Sequence, residues 1–228
     1  MAAPCSLLPA LLLCLLAGCE RGPGGGGGAS GSSGTGGADG GAGGAPCVFV
    51  GTMGAPAEIE PLLMEADGSL VPLHDGDPID ILTPPQGGIV AFVGVRARNL
   101  SLCGARVSGA IRDLGPDRLV RVDLRSVTLR EDGTGWAAPL RQDFSSVANI
   151  PLCHNVWSSR DLYGVRYQLE VELFDAGRKS LAKQTLSVTP RCADAAARDL
   201  AECMCICKQG YRLGDGCMGG AGMGGGGG

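Results

Sequence analysis

Three thiols at Cys203, Cys205 and Cys207, with a fourth at Cys217, are the densest set of reactive side chains in this sequence. Spaced i, i+2 and i+4, they have the ligand type for zinc or for Cu(I) in a reduced site. In an oxidising compartment the same thiols form disulfides instead, and structural zinc more often uses paired cysteines separated by two to four residues. His74-Asp75-Gly76-Asp77 with Asp80 offers hard oxygen ligands suited to calcium, against a plain turn in which Asp and Gly supply unusual backbone angles. Neither His74 nor His154 sits in a recognisable catalytic motif. There is no G-x-S-x-G elbow and no H-E-x-x-H pair, so no hydrolase nucleophile or zincin helix is expected. Trp136 and Trp157 are the residues best suited to contact a ligand, because exposed aromatics stack on sugars or fill partner pockets. Core packing or loop anchoring is the competing role for both. No catalytic residue, metal ligand or cofactor is assigned.

These side chains need a scaffold, and the stretch from Cys47 to residue 191 has the composition of one. It is rich in β-branched residues and Leu, broken by Gly, Pro and Asp turn signals, and long enough for one sizeable core. Val165, Tyr167, Leu169, Val171 and Leu173 alternate with Arg166, Gln168, Glu170 and Glu172, a period of two that buries one face. Asp175 to Arg178 reads as a turn, with Leu181 to Thr189 returning as the partner strand. Leu62–Met64 and Leu70–Leu73 flank Asp67-Gly68 in the same way. Gly88–Asn99 and Arg106–Asp113 form a further candidate pair, followed by Leu119–Leu129 and Trp136–Arg141. The expected fold is mainly β, an antiparallel β-sandwich that is immunoglobulin-like only by analogy, since the Cys–Trp–Cys spacing is absent. Ala193 to Glu202 is expected to form one short helix.

Ahead of this stretch, Leu7 to Leu16 is an apolar run the length of a signal-peptide core and well short of the roughly 20 residues that span a bilayer. It ends in Leu16-Ala17-Gly18-Cys19, which resembles the lipobox of bacterial lipoproteins. The resemblance implies cleavage before Cys19, acylation of that cysteine, and anchoring to a membrane through its lipid. An ordinary secretory signal is the competing reading. Glu20 after the cysteine implies the outer membrane of a Gram-negative cell envelope. Residues 1–18 are then a signal peptide and 19–46 a lipidated, Gly-rich tether, too poor in apolar residues to fold. Its root-mean-square reach is about 30 Å. Residues 218–228 read as a disordered Gly-rich tail.

The chain has eleven cysteines. Removing Cys5 and Cys14 with the signal and assigning Cys19 to lipid leaves Cys47, Cys103, Cys153, Cys192, Cys203, Cys205, Cys207 and Cys217. That even number, in an oxidising compartment, allows four disulfides in many connectivities. Cys47 with Cys192 and Cys103 with Cys153 are the expected pairs within the β region. Cys205-Ile206-Cys207-Lys208-Gln209-Gly210-Tyr211 followed by Cys217 resembles the second half of an EGF-like module, which makes 192–217 a small disulfide-rich knuckle. The resemblance implies a Cys207–Cys217 bond.

The formal charge is −4 with no basic cluster, so nucleic acid is not an expected partner. The leading expectation is a non-catalytic binding or assembly module for an envelope protein or polysaccharide. An envelope enzyme acting on a cell-wall or extracellular polymer is the alternative, and would need His74, Asp75, Asp77 or His154 to converge in one cleft. A purely structural spacer is the third.

Overall fold

A computed structural model describes residues 47–217 apart from 86 and 194–196. The expected signal segment 1–18, Cys19, the tether to residue 46 and the tail 218–228 lie outside the described residues. In chain order the strands are β1 (Phe49–Val50), β2 (Glu58–Met64), β3 (Leu70–Pro72), β4 (Pro78–Ile81), β5 (Ile89–Arg98), β6 (Leu100–Ser101) and β7 (Arg106–Asp113). They continue as β8 (Arg118–Ser126), β9 (Leu129–Glu131), β10 (Ala137–Pro139), β11 (Ala148–Cys153), β12 (Tyr167–Phe174) and β13 (Ser180–Cys192), followed by one helix, α1 (Ala197–Ile206). The protein is therefore mainly β, with several sheets and a disulfide-rich C-terminal region.

One sheet has the order β3-β2-β5-β10-β9, with β11 also paired to β5, and a second has the order β4-β13-β12-β7-β8. The alternation from Tyr167 to Leu173 becomes β12, whose four inward side chains are fully buried while Gln168, Glu170 and Glu172 are only partly covered. Glu170 on the outer face bonds Arg112 from β7 at 2.9 Å and Lys183 from β13 at 2.8 Å. The return strand pairs in register, with Leu169 opposite Leu186. The β2–β3 hairpin also forms as expected, turned by Gly68, whose amide donates to the Glu65 carbonyl at 2.9 Å.

Two expectations are corrected. β13 and β4 run parallel, so the second sheet is mixed rather than purely antiparallel. The candidate pair Gly88–Asn99 and Arg106–Asp113 does not form: β5 pairs with β2, β10 and β11, whereas β7 pairs with β8 and β12. The cause lies between them. Asn99 adopts φ 63°, and its side chain accepts from the Thr52 amide and donates to the Pro56 carbonyl, which turns the chain onto β1 instead of back along β5. Gly51 makes this approach feasible, since a Cβ there would lie 2.4 Å from Asn99 Oδ1.

One apolar cluster draws on both sheets, including Val93 and Val95 of β5, Ile150 and Leu152 of β11, Ile111 of β7 and Leu169 of β12. The opposite face of β5 is covered too. Val90 and Phe92 pack with Met64 and Val147, and Phe92 stacks on Phe144 at 4.5 Å. With both faces buried, β5 reads as an unbroken apolar run from Ile89 to Val95, ahead of Arg96 and Arg98.

Candidate functional site

All eight cysteines expected to be oxidised are in disulfides, but not in the expected pairs. The bonds are Cys47–Cys103, Cys153–Cys207, Cys192–Cys203 and Cys205–Cys217. Cys47–Cys103 replaces Cys47–Cys192 because β1 pairs with β6, bringing the two flanking cysteines to a Cα separation of 5.4 Å. Cys103–Cys153 and the Cys207–Cys217 bond implied by resemblance are likewise replaced. The reason is α1, which runs past the expected end at Glu202 to Ile206 and so carries Cys203 and Cys205 within its length. Cys203, Ile206 and Cys207 share its buried face, where Cys203 meets Cys192 at the end of β13 and Cys207 meets Cys153 at the end of β11. Cys205 lies between them in sequence, off that face, and takes Cys217. The carbonyls at the helix end are capped by the loop after β11: the Asn155 amide donates to Ile206 and the Leu162 amide to Cys207.

Where α1 meets the end of β11 there is a cavity of about 490 Å³. Its walls include Gly87 and Gly88 ahead of β5, Cys153 and His154 after β11, and Asp199 and Glu202 on α1. The His154 ring stacks on Tyr211 with centroids 5.4 Å apart. The chemistry offered is one imidazole, two carboxylates and a disulfide. This suits a small polar ligand with a cationic group.

His74, Asp75 and Asp77 do not line this cavity. Asp77 Oδ2 accepts from the His74 amide at 2.8 Å and lies 3.3 Å from its Nδ1, while Asp75 Oδ1 accepts from the Ser187 amide at 2.7 Å. Asp80 is buried and bonds Arg191 Nε at 2.5 Å. The three carboxylates thus serve three different local bonds, and the segment is built as a turn rather than a calcium cradle.

The loop 154–166, between β11 and β12, is fastened from beneath by a buried carboxylate. Asp113, at the end of β7, is fully buried and accepts from the Ser159 hydroxyl at 2.7 Å, the Ser159 amide at 3.1 Å, the Gly115 amide at 3.2 Å and Arg160 at 2.8 Å. Burial by itself would raise its pKa, but the Ser159 hydroxyl and amide, the Gly115 amide and the Arg160 guanidinium outweigh it and hold the group at about 2. Ser158 Oγ lies 2.5 Å from the Tyr167 hydroxyl, which donates to the Asp161 carbonyl at 2.8 Å. Asn155, also buried, donates to the Arg160 and Cys207 carbonyls. On top of this mount sit Val156 and Trp157, 62% and 54% exposed, with Arg118 donating to the Trp157 carbonyl.

Trp136 is placed differently. It is half-buried beneath the guanidinium groups of Arg98 and Arg96, which lie 4.6 and 5.3 Å from its ring centre. Arg98 pairs with Glu58, and Arg96 pairs with Glu60 and Asp132. A sugar stacking on Trp136 would have to displace these groups, so of the two tryptophans Trp157 is the one presented for contact.

No family model matches the chain, and comparison with curated proteins finds no significant similarity. The Asp113 mount was not foreseen from sequence. Tyr167 shows itself as an inward position of an alternating strand, but Asp113 stands at a strand end some 46 residues from Ser159 and resembles any turn aspartate.

Proposed function

We propose that this chain is a lipid-anchored cell-envelope protein, held in the outer membrane of a Gram-negative bacterium through Cys19, whose two sheets form a β-sandwich. The domain serves as a non-catalytic binding or assembly module for an envelope protein or polysaccharide. The observation that carries the binding role is Trp157, a large aromatic side chain left exposed on a loop that a buried carboxylate fixes in place. A rigid, exposed aromatic loses little freedom when it docks, which is the economy of a binding residue. Export is supported by the cysteine parity, since every cysteine downstream of Cys19 has a disulfide partner.

The test is crosslinking in intact envelopes and glycan-array binding with the wild type and Trp157→Ala. Loss of a crosslinked partner or glycan in the variant supports the module. An identical pattern in both proteins rejects this face, and no partner at all leaves the spacer as the better description. Intact mass of the detergent-extracted protein tests the anchor: a chain beginning at acylated Cys19 is expected, and an unlipidated chain overturns it.

A further inference from the structure

The two disulfides beneath α1 pack against each other. Cys203 Sγ and Cys207 Sγ, each already bonded elsewhere, are 3.9 Å apart, and the sulfurs of Cys192, Cys203 and Cys207 all fall within 4.8 Å of one another. The order is Cys153–Cys207···Cys203–Cys192. The inner pair is fully buried, while Cys153 and Cys192 at the two ends are partly exposed. Cys153 also forms part of the wall of the 490 Å³ cavity beside His154, Asp199 and Glu202.

We propose that these four cysteines form a thiol–disulfide exchange site that takes a small cationic or zwitterionic thiol at Cys153 and releases a thiol at Cys192. This goes beyond the binding role of Trp157 and does not depend on it. In the first step the entering thiolate attacks Cys153 Sγ. A mixed disulfide forms, the Cys153–Cys207 bond breaks, and the electron pair leaves on Cys207 Sγ. In the second step Cys207 thiolate, free to rotate once its bond to Cys153 is broken, swings into line with the Cys192–Cys203 bond and attacks Cys203 Sγ. The Cys203–Cys207 bond forms, the Cys192–Cys203 bond breaks, and Cys192 leaves as a thiolate that takes a proton from water. Two bonds form and two break, with no external oxidant or reductant.

The product bond joins near neighbours. The Cys207 amide donates to the Cys203 carbonyl at 3.0 Å, so the two residues are one helical turn apart. Four residues of helix rise about 6 Å, within the Cα separations that disulfides bridge, and the product requires the end of the helix to tighten so that Cβ atoms ordinarily about 5–6 Å apart come within bonding reach. The cavity has the size of a small-ligand site. Neither Asp199 nor Glu202 takes part in an ion pair among the described residues, which leaves both carboxylates to attract an ammonium group carried by the incoming thiol. Buried Cys203 and Cys207 are sealed from solvent, so exchange between them runs without competition from bulk thiol.

The experiment uses the intact oxidised protein and limiting cysteamine, with acid quenching, N-ethylmaleimide alkylation and non-reducing peptide mapping. The expected product carries cysteamine on Cys153, a Cys203–Cys207 bond and alkylated Cys192. Cysteamine on Cys153 with alkylated Cys207 and an intact Cys192–Cys203 bond overturns the relay, as does reaction confined to Cys205–Cys217 or Cys47–Cys103. In Cys192→Ser the expected free thiol is Cys153, with Cys203 bonded to Cys207; a free Cys203 beside intact Cys153–Cys207 counts against the proposal. Per thiolate, cysteamine is expected to react at least tenfold faster than thioglycolate at low salt, with the gap closing in Asp199→Asn/Glu202→Gln. Equal rates would remove the assigned charge preference.

Discussion

Ile150 of β11 fills the space that a side chain at Gly109 of β7 would need: a Cβ on Gly109 would lie 2.8 Å from Ile150 Cδ1 and 3.3 Å from the Ala148 Cβ. Strands from the two sheets touch here with nothing between them but this missing side chain. Gly109→Ala is therefore expected to overpack the contact and destabilise by about 1–3 kcal/mol. Denaturant unfolding measures the cost, and Ile150→Val in the same chain should recover part of it. Full additivity of the two substitutions would mean that they do not share the contact.

Asp113 makes stability depend on pH in acid. Its carboxyl titrates at about 2 in the folded protein against an ordinary value of 3.8. Between those values the unfolded chain binds the proton and the folded chain does not. The stabilisation is complete above 3.8 and is lost as pH falls toward 2, an effect on the order of 2 kcal/mol. Asp113→Asn should be less stable than wild type at neutral pH, and the difference should narrow through that window in pH-dependent thermal unfolding.

The Cys47–Cys103 and Cys205–Cys217 bonds close loops of very different length, with sequence separations of 56 and 12. On the chain-entropy account, their removal as paired Cys→Ser variants costs about 4 and about 3 kcal/mol. Midpoints of urea unfolding rank the two. The reverse order would show that native strain or residual unfolded structure outweighs loop closure.

The tryptophans should separate by quenching. Acrylamide is expected to reach Trp157 readily and Trp136 poorly, because the Arg96 and Arg98 guanidinium groups cover the latter. Trp157→Phe should therefore remove most of the accessible fluorescence, whereas Trp136→Phe should leave it largely in place.

Calcium should not stabilise the His74–Asp80 turn. Asp75, Asp77 and Asp80 already bond the Ser187 amide, the His74 amide and Arg191. A rise of several degrees in unfolding temperature with millimolar calcium would contradict that arrangement.

The β12–β13 hairpin and the β2–β3 hairpin were legible because alternation and turn residues act over neighbouring positions. What joins distant segments was not. Asn99 reads as an ordinary polar residue after an apolar strand, yet its left-handed backbone and two side-chain bonds decide that β5 and β7 enter different sheets. The oxidised state of the cysteines followed from parity, but the pairing depended on how far α1 runs beyond Glu202 and which of its faces is buried. Trp157 could be singled out by type, whereas the Asp113 bonds that hold its loop arise only from the fold.

The Cys47–Cys103 bond has a mechanical consequence. Tension applied to the chain ahead of Cys47 crosses the sulfur bridge and continues from Cys103 into β7, so residues 48–102 form a covalently closed loop that carries no load along its backbone. The weak two-stranded β1–β6 ladder and the whole of β2 to β5 are then spared, and pulling begins at the second sheet. Reducing that single bond would move the point of attack to β1 and allow the first sheet to be peeled strand by strand.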